Sequence, residues 1–371
     1  MAKIAWVYLR DNMRQSTGLV DSVAGYPSTT MWDQGSYLLG LQSAHRLNLV
    51  ESEEFHRRIN LLLTSLQKIP LFDNRLPNKA YDTRTLDMTD YQNNVLDRGL
   101  GWSAIDVARM LLALRVLERH TPEYGARIRK IIARWSLNDL AQNGRMYGVD
   151  AEDGQSVHLQ EGRIGYEQYS ARAVALWGVD VSDAISAKTI LEWRTVQGTQ
   201  VAVDLRRSSS FNAITPSLSE PYMLLGLELG FSSEGHILAS QVYRAQEARF
   251  GSTGIATMVS EDHVNQAPHF LYSTVYGNGE DWAVITESGE HFPELRTTSV
   301  KATVAWDALF GTPYTKQVRE SIQHLGSESS GWFAGYYEDD GRPNDALTLN
   351  TNAIVLEAIH FKAFGPLWQV N

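Results

Sequence analysis

The chain contains no cysteine, which excludes disulfide scaffolds and thiolate metal sites. No run of about 18 apolar residues occurs, so no membrane-spanning helix is expected. The opening residues, MAKIAWVYLRDN, lack the apolar core of a signal peptide. There is no HExxH pair to hold zinc. No GxGxxG or GxxxxGK[ST] run leads into a helix, which speaks against nucleotide binding. The acidic stretch DAEDG at 150–154 is turn-like but lacks the EF-hand spacing. No metal and no cofactor are therefore expected. Positive charge is also short: 33 Lys and Arg stand against 43 Asp and Glu, a net charge of -10. A sequence-independent grip on nucleic acid needs clustered Lys and Arg, and an anionic membrane surface is equally disfavoured. A neutral or weakly charged partner fits better.

Hydrophobic residues make up 43% and charged residues 20% of 371 positions, the balance of a folded globular protein. Tryptophan and tyrosine are plentiful, at 10 and 16. Most of them read as core filling. Those in polar loops read as platforms for flat apolar faces such as sugar rings.

The helical period organises the rest. Segments with apolar residues nearly all round, which must be buried, alternate with amphipathic segments that have one polar face. The buried type covers Thr30–Asn48, Trp102–Arg119, Gly165–Val179, Ser219–Phe231, Thr298–Phe310 and Asn350–Phe364. The amphipathic type covers Ile4–Gln15, Ser52–Lys68, Pro122–Ala141, Ser182–Glu192, Ser233–Phe250 and Pro313–His324. Six buried helices ringed by six outer ones predict an all-α fold, an (α/α)6 toroid, as one domain over residues 1–371. The N-terminal segment would pair with the last inner helix and close the ring. An open solenoid is the competing architecture, but it needs a fixed repeat with a consensus, and none is visible.

Links from inner to outer helices are short. Links from outer to inner helices run over residues 69–101, 142–164, 193–217, 251–297 and 325–349. Long loops in a compact domain are usually functional. All of them lead into inner-helix N-termini, so they should crowd one face, with short strands among them such as TQVAVDL and WAVITES.

That face gathers acids. Asp33, Asp106, Glu167 and Glu220 stand near inner-helix starts, and Asp87, Asp90, Glu161 and the run Glu338, Asp339, Asp340 stand in loops. Asp106 lies three residues after Ser103, the spacing of a capping box, and reads first as a cap. Asp33 has the same spacing from Thr30 but is flanked by Trp32, Gln34 and Tyr37, so cap and binding floor are both open. Glu220 precedes Pro221, which suits a first helical turn. Glu161 and Glu167 have no capping partner, although either could pair with Arg163. Two carboxyls across a cleft, one protonated and one ionised, are what glycoside hydrolysis requires.

Four runs, STTMWDQGSYLLGL, PNKAYDT, GWSAIDVARML and QEGRIGYEQYSARAVALWG, resemble a bacterial domain family of unknown function related to the glucoamylase-like (α/α)6 proteins. The resemblance spans nearly the whole chain and marks Asp33, Glu161, Gly162, Arg163, Tyr166 and Glu167 as its hallmark positions. It implies a toroid, action on a glycan by analogy with relatives that include β-1,2-glucanases, and a periplasmic or extracellular setting beside envelope polysaccharide machinery. Fold analogy alone does not establish activity.

The combined expectation is a glycoside hydrolase acting on a bacterial glucan or exopolysaccharide. Glu161 or Glu167 would be the general acid, and Asp33 or Asp90 the base. Trp32, Trp102, Tyr166, Trp332 and Tyr336 would stack on sugars, while Lys79, Arg163, Gln168 and Glu220 would bind hydroxyls. The alternatives are a non-catalytic glycan-binding envelope domain and a polysaccharide lyase, in which Tyr166 or His158 is the base and Arg163 neutralises a uronate.

Overall fold

Helices with little polar surface are placed by the partners they bury against. In the computed structural model, which describes residues 1–152, 154–206 and 213–368, the buried segments find one another. In chain order the helices are α1 (Ala2–Asp11), α2 (Met31–Arg46), α3 (Ser52–Lys68), α4 (Ala104–His120), α5 (Gly125–Ile132), α6 (Tyr166–Ala175), α7 (Glu220–Leu224), α8 (Ser233–Thr253), α9 (Val300–Leu309), α10 (Pro313–Ser321) and α11 (Leu349–Phe364). A wider turn, Leu225–Leu229, prolongs α7. Helix α2 packs on α4, α4 on α6, α6 on α7, α7 on α9, α9 on α11, and α11 back on α2. The inner ring is closed. Helix α1 lies against α11, and the Trp332 indole N–H donates to the Met1 carbonyl at 3.1 Å.

The outer layer departs from the expected six helices. Residues 182–190 form successive turns, and a strand, Leu191–Val196, follows. Val181, Ala184, Ala187 and Ile190 are all buried. Their three-residue spacing imitates a helix but is met by turns, with Val181 and Ala187 carbonyls accepting from Ala184 and Ile190 N–H groups. The Pro122–Ala141 segment is likewise broken: only Gly125–Ile132 is α-helical, and tighter turns flank it. Helix α1 stops at Asp11.

The long outer-to-inner links carry short antiparallel strands. Arg145–Glu152 pairs with Gln155–Gln160, Leu191–Val196 with Thr199–Asp204, Glu261–His263 with Phe270–Ser273, and Gly331–Tyr337 with Pro343–Leu347. Inner helices begin beside them with hydroxyl caps. Thr30, Ser103, Ser299 and Thr348 each accept the backbone N–H three residues on, satisfying one orphan donor of the first turn. Helix α6 is preceded instead by Gly165, whose φ of 91° suits a residue without Cβ; the Gln168 side chain accepts its N–H at 2.7 Å.

The middle of the ring is polar. Arg109 of α4 is fully buried. Its guanidinium meets Glu228 at 2.9 Å, Glu357 at 3.3 Å and Glu220 at 3.9 Å, and lies 4.6 Å above the Trp32 ring. The Tyr169 hydroxyl donates to Glu228 at 2.5 Å. Removing one partner of a buried ion pair strands the other charges in a low dielectric. Arg109→Met is therefore expected to lower the unfolding free energy by about 3–5 kcal/mol, read from the shift in urea midpoint. A loss under about 1 kcal/mol would show that the network does not hold the ring.

Candidate active site

The loops and inner-helix starts enclose a cleft of about 630 Å³. One wall is built at the start of α4. The Ser103 hydroxyl accepts from the Asp106 N–H at 3.1 Å and donates to Glu161 at 2.6 Å. The Ala104 N–H donates to the other Glu161 oxygen at 2.5 Å. Glu161 thus closes a helix N-terminus, where an anion is favoured. Gly148 makes room for it, because a Cβ there would collide with the Glu161 carboxylate. Asp106 stands beside Glu161 and lines the cleft. Burial first, then the charges of Glu161 and Asp33, push its carboxyl up to about 8. Burial also raises Glu161, against the hydrogen bonds and the nearby Lys79 that lower it. The Glu161 charge is thus one of the causes that raise Asp106. Glu161 carries the donors that favour charge, and Asp106 keeps the proton.

Asp33, at the start of the neighbouring α2, accepts from Ser22 at 2.6 Å and Thr30 at 3.0 Å. Burial raises its carboxyl against those two bonds. The floor holds Trp32 and Asn350. The Asn350 amide donates to buried Glu220 at 2.7 Å, which also pairs with Lys301. Glu261, Asp262, His263 and Lys301 line the cleft beside the start of α9, and Tyr166 lines it from the start of α6. Tyr26, Tyr91, Phe270 and Tyr272 supply further aromatic faces, and the Tyr26 hydroxyl donates to the Tyr91 carbonyl at 2.9 Å.

Of the residues expected to act, the cleft brings together Asp33, Glu161, Trp32, Lys79, Arg163 and Tyr166. Lys79 is ion-paired with Asp150, and Arg163 donates to Gln160 at 2.6 Å and the Gly162 carbonyl at 2.8 Å. The others lie elsewhere. Glu167 is buried behind the wall with Arg206 at 2.8 Å and Arg145 at 3.5 Å, the bland ion-pair role with different arginines. Asp90 caps its own loop, accepting from the Gln92 and Asn94 N–H groups. Trp102 is wholly buried against Phe72 and His158, which also takes His158 out of the cleft lining. Trp332 is a core residue tied to Met1. Tyr336 is half-buried with its hydroxyl 3.5 Å from Ser321. Gln168 bonds Gly165 and Ala184 within the fold. Glu220 sits one layer under the floor. Glu338 is engaged by Arg249 at 2.8 Å. Of the DAEDG stretch, Asp153 lies outside the described residues, and among the described residues no group of three or more His, Asp or Glu side chains is arranged to hold a metal.

In the sequence Asp106 reads first as a cap, and Ser103 does accept its N–H, while Glu261, Asp262, Glu287 and Lys301 carry no motif. For Asp106 the signal existed: it holds the same place after its hydroxyl cap as Asp33. The Glu261–Asp262 pair had only its position in a long loop to mark it.

A family model described as a protein of unknown function (DUF3131) matches residues 1–365. The chain belongs to that family. The solved structures similar to this DUF3131 chain share its fold at low identity. A provisionally assigned glucoamylase from Bacteroides caccae superposes with a TM-score of 0.71 at 12% identity, covering 99% of this chain and 93% of that one. An endo-β-1,2-glucanase from Chitinophaga pinensis, in complex with sophorotriose and glucose, gives 0.70 at 11%, covering 99% and 91%. An endo-β-1,2-glucanase from Talaromyces funiculosus, bound to sophorose, gives 0.62 at 11%, covering 98% and 83%. Among curated proteins nothing matches the sequence. The DUF3131 fold is therefore glucoamylase-like.

The Glu161 charge beside Asp106 has a measurable consequence. In Glu161→Gln the like charge is gone, so the Asp106 carboxyl should titrate below its value of about 8, followed by carboxyl 13C NMR. An unchanged midpoint would mean the two do not interact. Glu167→Gln should leave that midpoint in place while lowering stability by about 3 kcal/mol through loss of a buried ion pair.

Proposed function

We propose that this chain is a glycoside hydrolase acting on a β-linked glucan, built on an (α/α)6 toroid. The observation that carries this reading is the Asp106–Glu161 pair, two buried carboxyls at the start of α4 in a cleft faced by aromatic rings, and burial with the Glu161 charge pushes Asp106 up to about 8. A general acid must hold its proton at working pH and give it to a leaving oxygen. Asp33, expected from sequence to position water, stands on the helix next to α4. In our reading its charge helps keep the proton on Asp106, and the ionised partner of the reaction belongs on the opposite wall.

The aromatic lining, Trp32, Tyr26, Tyr91, Tyr166, Phe270 and Tyr272, suits the apolar faces of pyranose rings. Acids outnumber cations in the lining even with Asp106 and Glu261 protonated, since Asp33, Glu161, Asp262 and Glu287 remain beside Lys79, Arg163 and Lys301. That balance favours a neutral polymer over a uronate and places the lyase reading second. A β-1,2-linked glucan is the first polymer to try, because two enzymes of the same fold act on that linkage. An envelope glycan met outside the cytoplasm is part of this proposal.

Release of reducing ends from β-1,2-, β-1,3- and β-1,6-glucans tests it. Cleavage of at least one is expected. Asp106→Asn and Glu161→Gln should each reduce turnover by about 10²–10⁴-fold, the usual contribution of general acid–base catalysis, with circular dichroism unchanged. Calorimetric binding without new reducing ends would instead make the chain a glycan-binding module. Ultraviolet-absorbing unsaturated uronates from a uronate polymer would make it a lyase.

A further inference from the structure

The closed ring fixes which helix starts face each other. With six members in the order α2, α4, α6, α7, α9, α11, α4 stands opposite α9. The Asp106–Glu161 pair belongs to the start of α4. Lys301 is the second residue of α9, and the strand Glu261–His263 lies against it. Both groups line the same cleft.

Asp262 is 4% exposed, with one carboxylate oxygen 3.4 Å from the Lys301 ammonium. Its other oxygen has no hydrogen-bond partner among the described residues. A buried carboxylate with an unused acceptor is costly unless something arrives to occupy it. Lys301 is itself held from below by Glu220, which is fixed by the Asn350 amide at 2.7 Å and the Ser260 hydroxyl at 3.4 Å. The groups facing Asp262 are thus Lys301 from α9, Glu220 from α7, Glu261 and His263 from its own strand, and Ser299 from the α9 cap.

We propose that Asp262 is the second catalytic carboxylate of the cleft, the one that takes a proton from the attacking water, and that Lys301 is its positioning residue. The assignment rests on the hydrolase reading given above. The water oxygen attacks the anomeric carbon from the far wall and passes its proton to Asp262. The bond from that carbon to the glycosidic oxygen breaks, and the leaving oxygen takes the proton held by the Asp106–Glu161 pair. Room for a water between the two carboxyls is what an inverting enzyme needs, and the proposal places them at facing helix starts of the ring. The charge states agree with these roles. Burial raises Asp262 and Lys301 draws it back, to about 6, so it is ionised at neutral pH. Burial and then the Glu220 charge lift Glu261 to about 8, so that neighbour stays protonated. Burial, then Lys301, lowers His263 to about 4, so no imidazolium competes for the carboxylate.

The test uses the full chain and β-1,2-glucan, or whichever glucan of the panel the wild type cleaves. Asp262→Ala should lose at least about 10³-fold in kcat with little change in KM. Sodium azide should restore part of the turnover and yield an α-glycosyl azide, the inverted product, because the small anion fills the space of the lost carboxylate and water. Lys301→Met removes the cation that favours ionised Asp262, so the acid limb of the pH–rate profile should move to higher pH by about 1 unit or more. Lys301→Arg should move it back. Asp262→Asn keeps the side-chain shape and reads the same loss if the alanine variant does not fold. Turnover of a folded Asp262 variant within tenfold of wild type overturns the assignment, as does a folded Asp262→Ala chain that is inactive and yields no glycosyl azide. A wild type that cleaves no glucan removes the hydrolase reading itself. An active wild type with an unaffected Asp262 variant removes only this assignment.

Discussion

Arg109 is the point on which the ring turns. A guanidinium with no access to water must be compensated where it lies, and every inner helix is bound to the arrangement that compensates it. Helix α4 supplies the cation. Helix α2 supplies the Trp32 face beneath it, and α6 the Tyr169 hydroxyl that holds Glu228. Helix α7 and its extension supply Glu220 and Glu228, and α11 supplies Glu357 and Asn350. Helix α9 joins through Lys301 and Glu220. An apolar core would tolerate sliding of these helices past one another. A shared charge does not, because each partner must arrive at hydrogen-bonding distance at once.

The same constraint supplies the floor of the cleft. Trp32 and Asn350 belong both to the Arg109 cluster and to the surface on which a ligand would rest, and Glu220 holds that surface from below. Carboxyls outnumber cations in this region, and low polarizability around them raises the cost of each additional charge. Protons are retained as a result: Asp106 and Glu261 hold theirs to about 8. In the proposed hydrolase, acid chemistry near neutral pH would follow from how the ring is stabilised. Where a cation is in contact, as Lys301 is with Asp262, the carboxylate ionises at a lower pH. The two walls differ in this respect, and proton transfer between a leaving oxygen and a water needs that difference.

The inner ring was legible in the sequence because burial all round leaves a plain mark, and α2, α4, α9 and α11 fall within a few residues of the expected spans. The loop-rich face was legible from chain lengths alone. The outer layer was harder to read, since Val181, Ala184, Ala187 and Ile190 satisfy both a helix and a series of turns, and only tertiary contacts decide between them. For the cleft, Asp33 was visible as an acid at a helix start and Glu161 as a loop acid with no capping partner. Glu167 was equally visible and proved to be ion-paired, because Arg206 approaches it from 39 residues away and no local pattern announces that contact. Trp102 and Trp332 had the composition of sugar platforms but fill the core. Asp262 and Lys301 were hidden for the same reason: strand and helix meet only after the ring has closed.

In the proposed hydrolase, two unlike carboxyl walls face one sugar linkage across this cleft. A crystal structure of the Asp106→Asn chain soaked with a β-1,2-linked oligosaccharide would decide this. The expected result is a glycosidic oxygen within about 3 Å of the residue 106 side chain or Glu161, with a water held by Asp262 on the other face of the sugar ring. An oligosaccharide seated outside the cleft, or one that contacts neither wall, would contradict it.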